Sequence, residues 1–166
     1  MRKKLNTLMK TMIDYYEGDP KRIQHFIKVA SLAKEIASLE DCDKEVMHLV
    51  EATGYVHDIG IRKAEKEVGY STPKLQEEYG PDLAKEMMEK LHFKADFIDR
   101  VCFIVGHHHT IKAVDGLDFQ IIIEADFLVN AYEDDMPKSA IINARDHFFK
   151  TASGIAIINA MFGLDK

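Results

Sequence analysis

The chain has 166 residues, of which 46% are hydrophobic and 30% are charged. This length and balance predict one globular domain and exclude an intrinsically disordered chain. The net charge is −6, from 22 basic and 28 acidic residues, which disfavours binding to duplex nucleic acid or to an anionic membrane.

Neither the cysteines nor the first residues indicate export. The two cysteines, Cys42 and Cys102, form no CxxC pair, and nothing else marks the chain as secreted. The opening segment MRKKLNTLMKTMIDYY is basic but lacks the apolar stretch of a signal peptide or a membrane span. We therefore expect a cytoplasmic protein.

Apolar residues recur at helical spacing along nearly the whole chain, with no internal repeat and no obvious linker. The dipeptide Asp19-Pro20 is typical of a helix start, whereas Gly80-Pro81 predicts a break, with a new helix beginning at Pro81. We expect an all-α, single-domain helical bundle over residues 1–166. The main predicted helices cover about 5–16, 20–39, 44–57, 94–105, 117–129, 139–150 and 154–162.

Two histidine-bearing segments place polar groups toward the predicted core. His25 shares the apolar arc of its helix with Val29 and Leu32, and His57-Asp58 ends the following helix, where Gly60 can turn the chain tightly. A lone histidine on such a face is usually a core residue with a hydrogen-bond partner, and a His-Asp pair can serve only to hold a turn. A purely structural role is therefore still open for His25 and for His57-Asp58 when each segment is considered alone.

Two later segments add to this pattern. His107-His108-His109 follow Gly106 at the end of a predicted helix, and Asp126 lies among isoleucines and valine in a strongly apolar helix. Because every buried polar group needs a partner, four such segments are hard to explain independently. A divalent cation satisfies all of them at once. With no cysteine ligand, histidine and carboxylate favour octahedral Mn, Fe, Co, Ni or Mg, with Zn also acceptable.

The order His25, His57-Asp58, Asp126 resembles the HD-domain superfamily of metal-dependent phosphohydrolases. The supporting text is GDPKRIQHFIKVASLAKEIA, GYVHDIGI, VGHHHT and EADFLVN, and it spans about residues 19–131. The resemblance implies a helical bundle around a metal site. It also implies that the first metal ion is bound by His25, His57, Asp58 and Asp126.

Some members of this superfamily hold two metal ions bridged by the HD aspartate, with further histidines as ligands. His107-His108 resembles the late pair of these histidines, with His109 as a spare whose orientation the sequence does not decide. The middle histidine is missing, and we expect a carboxylate from Glu77 or Glu78 in its place. One or two ions per chain are therefore expected, and with a single ion His107 or His108 would contact the substrate or leaving group.

Other signatures of the superfamily are absent. The chain has no glycine-tyrosine-proline signature of the cyclic-dinucleotide phosphodiesterases, and Ile59 to Lys63 replace the acidic pair of the alarmone hydrolases. Ile61 also stands where the single-metal nucleotidases carry glutamate and where the di-iron oxygenases favour lysine. No specific substrate is therefore implied.

The resemblance implies metal-assisted hydrolysis of a phosphate mono- or diester on a small soluble substrate, a nucleotide or metabolite, with Asp58 as ligand and proton acceptor. Two alternatives remain: an oxygenase with a di-iron site, and a metal-stabilised sensor or binding module without turnover. Oligomers are compatible with all three. Four basic residues near the expected site are candidates for binding phosphate, although each can equally be a solvated surface charge: Arg22, Lys28, Arg62 and Lys63.

Overall fold

The computed structural model describes residues 1–164, which form nine α-helices and no strand. The all-α prediction is therefore confirmed. None of the helices in this part of the chain could cross a membrane. A short 3₁₀ turn, Ile111–Ala113, lies between the sixth and seventh helices. The helices are α1 Arg2–Tyr15, α2 Pro20–Leu39, α3 Lys44–Val56, α4 Gly60–Val68, α5 Pro73–Lys90, α6 Ala95–Val105, α7 Leu117–Glu133, α8 Lys138–Phe148 and α9 Ala152–Phe162.

Side-chain caps fix where several helices begin. The Asp19 carboxylate accepts a hydrogen bond from Arg22 N at 3.1 Å, and Pro20 follows as the first residue of α2. Asp43 accepts from Glu45 N and Val46 N at the start of α3, both at 2.9 Å. These two helices begin at the residues that the sequence pattern predicts.

Helices α2, α3 and α7 form the centre of the bundle, with α1 and α6 against α3. The tightest approach is between α2 and α3, where a Cβ at Gly54 would lie 2.5 Å from Ala30 Cα. Because real Cβ atoms do not approach a backbone so closely, only glycine at position 54 allows this crossing. The crossing brings the N-terminal part of α2 beside the C-terminal end of α3.

The predicted break at Gly80-Pro81 is wrong. Helix α5 runs without interruption from Pro73 to Lys90, with Pro81 inside it. Proline in a helix interior costs about 3 kcal/mol because it lacks an N–H and crowds the preceding turn. Here α5 packs along both α4 and α6, and the Pro81 carbonyl accepts a hydrogen bond from Cys102 Sγ at 3.4 Å. Tertiary packing therefore overrides the local signal.

Gly60 does not form the tight turn that the sequence suggested. It is the first residue of α4, and a Cβ there would lie 2.8 Å from the Gln76 carbonyl oxygen. Glycine is needed for the close contact between α4 and α5, which places Gln76 near the end of α3.

The C-terminal helix α9 is attached to α7 through a buried carboxylate. Glu124 is fully buried and accepts hydrogen bonds from Lys150 N at 2.7 Å, Thr151 N at 3.0 Å and the Thr151 hydroxyl. A Cβ at Gly154 would lie 2.0 Å from Glu124 Oε2. The start of α9 is thus built around this carboxylate, which faces away from Asp126.

Candidate metal centre

The four side chains expected to bind the first metal lie together. His25 Nε2 on α2 is 3.2 Å from His57 Nε2 at the end of α3 and 3.2 Å from Asp126 Oδ1 on α7. Asp58 Oδ2 lies 3.3 Å from both imidazole nitrogens. Helices α2, α3 and α7 therefore converge on one point. The side chains of Asp58 and Asp126 are 20% and 13% exposed, so solvent reaches the cluster.

The imidazole rings of His25 and His57 are each oriented by a contact at Nδ1, on the side away from the cluster. His57 Nδ1 donates to the Gly54 carbonyl at 2.8 Å, and His25 Nδ1 lies 3.1 Å from Glu133 Oε2. A carbonyl or carboxylate oxygen can only accept a hydrogen bond, so Nδ1 of each ring must carry a proton. The ring orientation that these bonds fix directs Nε2 toward the cluster. Asp126 is fixed as well, because its Oδ1 accepts from Asn130 Nδ2 at 3.0 Å.

The turn that carries Asp58 is tied to α1. The Tyr16 hydroxyl donates to the Asp58 carbonyl at 2.8 Å, and the neighbouring Tyr15 hydroxyl donates to the Ile59 carbonyl at 3.2 Å. Two adjacent tyrosines thus satisfy backbone oxygens at the point where α3 ends and α4 begins, which holds the Asp58 backbone in place.

A second group forms on the other side of Asp58. His108 Nε2 lies 3.3 Å from Asp58 Oδ1, while its Nδ1 donates to the Val105 carbonyl at 2.8 Å. The potential ligand atoms of Asp58, His108 and His109 lie within 4.8 Å of one another, as do those of His25, His57 and Asp58. One carboxylate therefore belongs to both groups.

The expected role of His107 does not agree with the geometry. Its Nδ1 donates to the Phe103 carbonyl at 2.7 Å, its ring lies against the Phe103 ring, and it belongs to neither ligand group. Successive residues of a helical turn point in different directions, so His108 faces the cluster and His107 does not. His109, the spare in the sequence interpretation, takes that place.

Neither of the two glutamates expected as ligands beside these histidines belongs to the group. Glu77 accepts from His109 N at 3.0 Å and Thr110 Oγ1 at 2.9 Å, so it holds the loop, while Glu78 is exposed. The neighbouring side chain reaches the site instead, because Gln76 Oε1 lies 2.6 Å from His109 Nε2. A carboxylate in place of the missing middle histidine is therefore not part of either group.

Charge at the cluster is balanced between imidazoles and carboxylates. Burial opposes a charge on His25, but hydrogen bonds to Asp126 and Asp58 raise its pKa to about 9. His57 is completely buried, yet the same two carboxylates raise its pKa well above 6.5. Burial disfavours the ionised form of Asp58, but the charge of His57 holds its pKa well below 3.8. The site thus stabilises positive charge, supplied either by protons or by a cation.

The residues present fit a metal cation. His108 Nε2 is buried and makes no hydrogen bond within residues 1–164, and because Nδ1 carries the proton its lone pair points toward a carboxylate. His109 is exposed as a whole residue, but partial desolvation of its ring and the neighbouring His108 lower its pKa to about 4, so this ring is neutral at neutral pH. Neutral imidazoles and ionised carboxylates are the forms that bind divalent metals.

The basic residues expected to bind phosphate are not equally placed. Arg22 lines a cleft beside Asp58, where it pairs with Asp19 at 2.8 Å and with Glu65 at 2.5 Å. The other three lie outside the two clefts that reach the cluster. Their partners are Glu133 for Lys28, the Tyr15 carbonyl for Arg62, and both Glu67 and the Tyr79 ring for Lys63.

Two clefts open onto the cluster. One, of about 300 Å³, contains His25, Lys21 and Arg22. The other, of about 450 Å³, contains His108 and His109 and has an apolar wall of Ile111, Ile123, Phe127, Met136 and Phe148. Four residues line both clefts: Asp58, Ile61, Asn130 and Asp134.

Comparison with known proteins agrees with this geometry. The family model described as "HD domain" matches residues 22–145. The chain belongs to the HD-domain family. In fold it is similar to the crystal structure of a predicted HD superfamily hydrolase from an uncultured Thermotogales bacterium, with a TM-score of 0.66 and 24% identity over 98% of this chain and 85% of that one. No curated protein matches.

Three polar residues around the cluster were missed in the sequence: Gln76, Asn130 and Glu133. Asn130 and Glu133 follow Asp126 by four and seven residues and so share its face of α7. The sequence therefore already contained the spacing that places both residues beside Asp126. Gln76 carried no such signal, because its position depends on the contact between α4 and α5.

Proposed function

We propose that this HD-domain chain is a metal-dependent phosphohydrolase that cleaves a phosphate mono- or diester of a small soluble nucleotide or metabolite. The observation that carries the proposal is the convergence of two ligand groups on Asp58, one of which contains the buried, unbonded His108 Nε2. A site that is rich in lone pairs and open to solvent is suited to a catalytic cation.

Each residue has a defined place in this proposal. His25, His57, Asp58 and Asp126 would hold one divalent ion of Mn, Fe, Co, Ni, Mg or Zn, and Asp58, His108 and His109 would hold a second. When bound, such an ion makes a coordinated water more acidic and offsets charge on phosphoryl oxygens. Asn130 keeps Asp126 oriented, and Asp58 is the carboxylate that belongs to both groups and is thus the candidate proton acceptor.

The clefts support a small substrate with an anionic part and a less polar part. Volumes of about 300 and 450 Å³ are at the lower end of the range for pockets that bind small molecules. In the first cleft Lys21 and Arg22 lie among the carboxylates Asp19, Asp58, Glu133 and Asp134, so an anionic group would bind there only with the metal ion also in place. The apolar wall of the second cleft suits the less polar part of an ester, so the phosphorus atom would lie between the two.

The proposal is tested by combining elemental analysis with a panel of phosphorylated metabolites, assayed with added Mn²⁺ or Co²⁺. We expect at least one ion per chain and release of inorganic phosphate or a monoester from one class of compound. Oxygen consumption without phosphate release would instead indicate an oxygenase. Metal binding without turnover of any compound would leave a metal-stabilised binding module.

A crystal grown with the metal decides the number of ions. Two ions about 3.5–4 Å apart, bridged by Asp58, are expected if both groups bind. A single ion beside His25 and His57, with His109 still bonded to Gln76, would restrict the proposal to a one-metal mechanism.

A further inference from the structure

The three imidazoles that present Nε2 to the cluster are not held in the same way. His57 donates Nδ1–H to the Gly54 carbonyl and His108 to the Val105 carbonyl, both at 2.8 Å. His25 instead places Nδ1 3.1 Å from the Glu133 carboxylate. A carboxylate carries a full negative charge where a backbone carbonyl has only a dipole, so His25 has the most electron-rich ring.

Glu133 is itself fixed for this role. Its side chain is 13% exposed, and its second oxygen lies 2.7 Å from Lys28 Nζ. The ammonium compensates a carboxylate that would otherwise be costly to bury, and it leaves Oε2 directed at His25. A series of contacts from Lys28 through Glu133 to His25 therefore links the surface to the cluster.

We propose that Glu133 is a positioning residue that sets the metal affinity of the first ligand group through His25. By accepting a hydrogen bond from His25 Nδ1–H it keeps the Nε2 lone pair directed at the cluster, and its charge increases the basicity of that lone pair. The inference rests on the metal site of the proposed function but not on phosphate ester hydrolysis, because it concerns binding of the cation alone.

The test measures Co²⁺ affinity of the metal-free protein by competition with a chromophoric chelator, together with the visible Co²⁺ spectrum. Glu133→Ala is expected to weaken binding by about 10- to 100-fold. Glu133→Gln keeps the shape and one acceptor oxygen but loses the charge, so we expect an intermediate loss and a shifted spectrum. Glu133→Gln also serves as the readable variant if Glu133→Ala fails to fold.

Two controls separate this role from general destabilisation. Glu51→Gln alters another buried carboxylate, which is paired with Arg2 and belongs to neither ligand group, and should change the melting temperature without changing Co²⁺ affinity. The double variant Lys28→Met, Glu133→Gln removes the ammonium that Glu133→Gln alone leaves unpaired. Its affinity should stay low if the bond to His25 matters, and return to the wild-type value if only the unpaired lysine repelled the cation.

The outcomes distinguish the inference from the proposed function. A wild-type protein that binds no Co²⁺ contradicts the metal site itself. Tight Co²⁺ binding that is unchanged in both Glu133 variants, or lost equally in Glu51→Gln, overturns the role of Glu133 and leaves the metal site standing.

Discussion

Asp58 is the side chain on which both halves of the site depend. Its Oδ2 lies 3.3 Å from His25 and His57, and its Oδ1 lies 3.3 Å from His108. The two oxygens thus face different groups of imidazoles, which is the arrangement of a bridging carboxylate. No other carboxylate in residues 1–164 belongs to both groups.

Replacing Asp58 with alanine is expected to abolish hydrolysis and to lower the metal content of the purified protein. The change removes a ligand oxygen from each group and the nearest proton acceptor. Turnover on the identified substrate and elemental analysis measure the two effects. The exposed Glu86→Gln is the matched control, and full activity of Asp58→Ala would show that the carboxylate is not a ligand.

The pKa values of the histidines predict opposite pH trends with and without metal. His25 has a pKa of about 9 in the folded protein, above its ordinary 6.5. Its contribution to the stability of the metal-free protein is therefore full below pH 6.5 and is lost as the pH rises through 9. Because a cation competes with protons for the same imidazole nitrogens, stabilisation by metal grows as the pH rises over this interval.

Thermal melts between these two pH values, with and without Ni²⁺, check this prediction. The melting temperature of the metal-free protein should fall as the pH rises, while the increase caused by Ni²⁺ should become larger. A Ni²⁺-induced shift that is the same at both ends of the range would contradict the proposed competition.

At the scale of single elements, the crossing of α2 and α3 determines whether the site forms. Gly54 lies three residues before His57, and Ala30 lies five residues after His25, so their contact fixes the distance between the two imidazoles. Hydrogen bonding within each helix does not set this distance. It comes from the absence of a side chain at position 54.

Gly54→Ala should therefore lower the free energy of unfolding by about 1–3 kcal/mol through overpacking and should also weaken metal binding. The contact is with backbone atoms of Ala30, so a change of rotamer does not relieve it. Chemical denaturation and Co²⁺ titration measure the two effects, with the exposed Ser31→Ala on α2 as control. A variant with unchanged stability would mean that the helices separate at no cost.

The difference between features set within one helix and features set by contact between helices explains what the sequence could predict. Periodicity and caps locate α2 and α3, and the inward positions of His25, His57 and Asp126 follow from the apolar residues around them. The continuity of α5 through Pro81 and the contact of Gly60 with Gln76 depend on neighbours that are distant in sequence. The choice between His107 and His109 depends on how the turn after α6 lies against α3, which no local pattern encodes.

At the scale of the whole molecule, the site depends on parts of the chain outside the matched HD domain. The match begins at residue 22, whereas α1 ends at Tyr15. Nevertheless the hydroxyls of Tyr15 and Tyr16 satisfy the carbonyls of Ile59 and Asp58. The first helix therefore supports the turn that carries Asp58 as well as forming part of the core.

Tyr16→Phe should cost about 0.5–1.5 kcal/mol of stability, because the Asp58 carbonyl loses one of its two donors and keeps only Ile61 N, and should reduce metal affinity as the turn relaxes. Equilibrium unfolding and the same Co²⁺ titration give the two numbers. Tyr70→Phe, at an exposed tyrosine, is the matched control. Loss of stability with unchanged affinity would limit the role of α1 to the core.

The packing of Gly154 against Glu124 also constrains how sequences related to this chain can diverge. Any side chain at position 154 would overlap the carboxylate, whose oxygen would lie 2.0 Å from the new Cβ, while loss of the carboxylate would leave the amides of Lys150 and Thr151 without an acceptor. Neither position can therefore change first without a penalty. In an alignment of relatives that share this C-terminal helix, glutamate at 124 and glycine at 154 should be inherited or lost together.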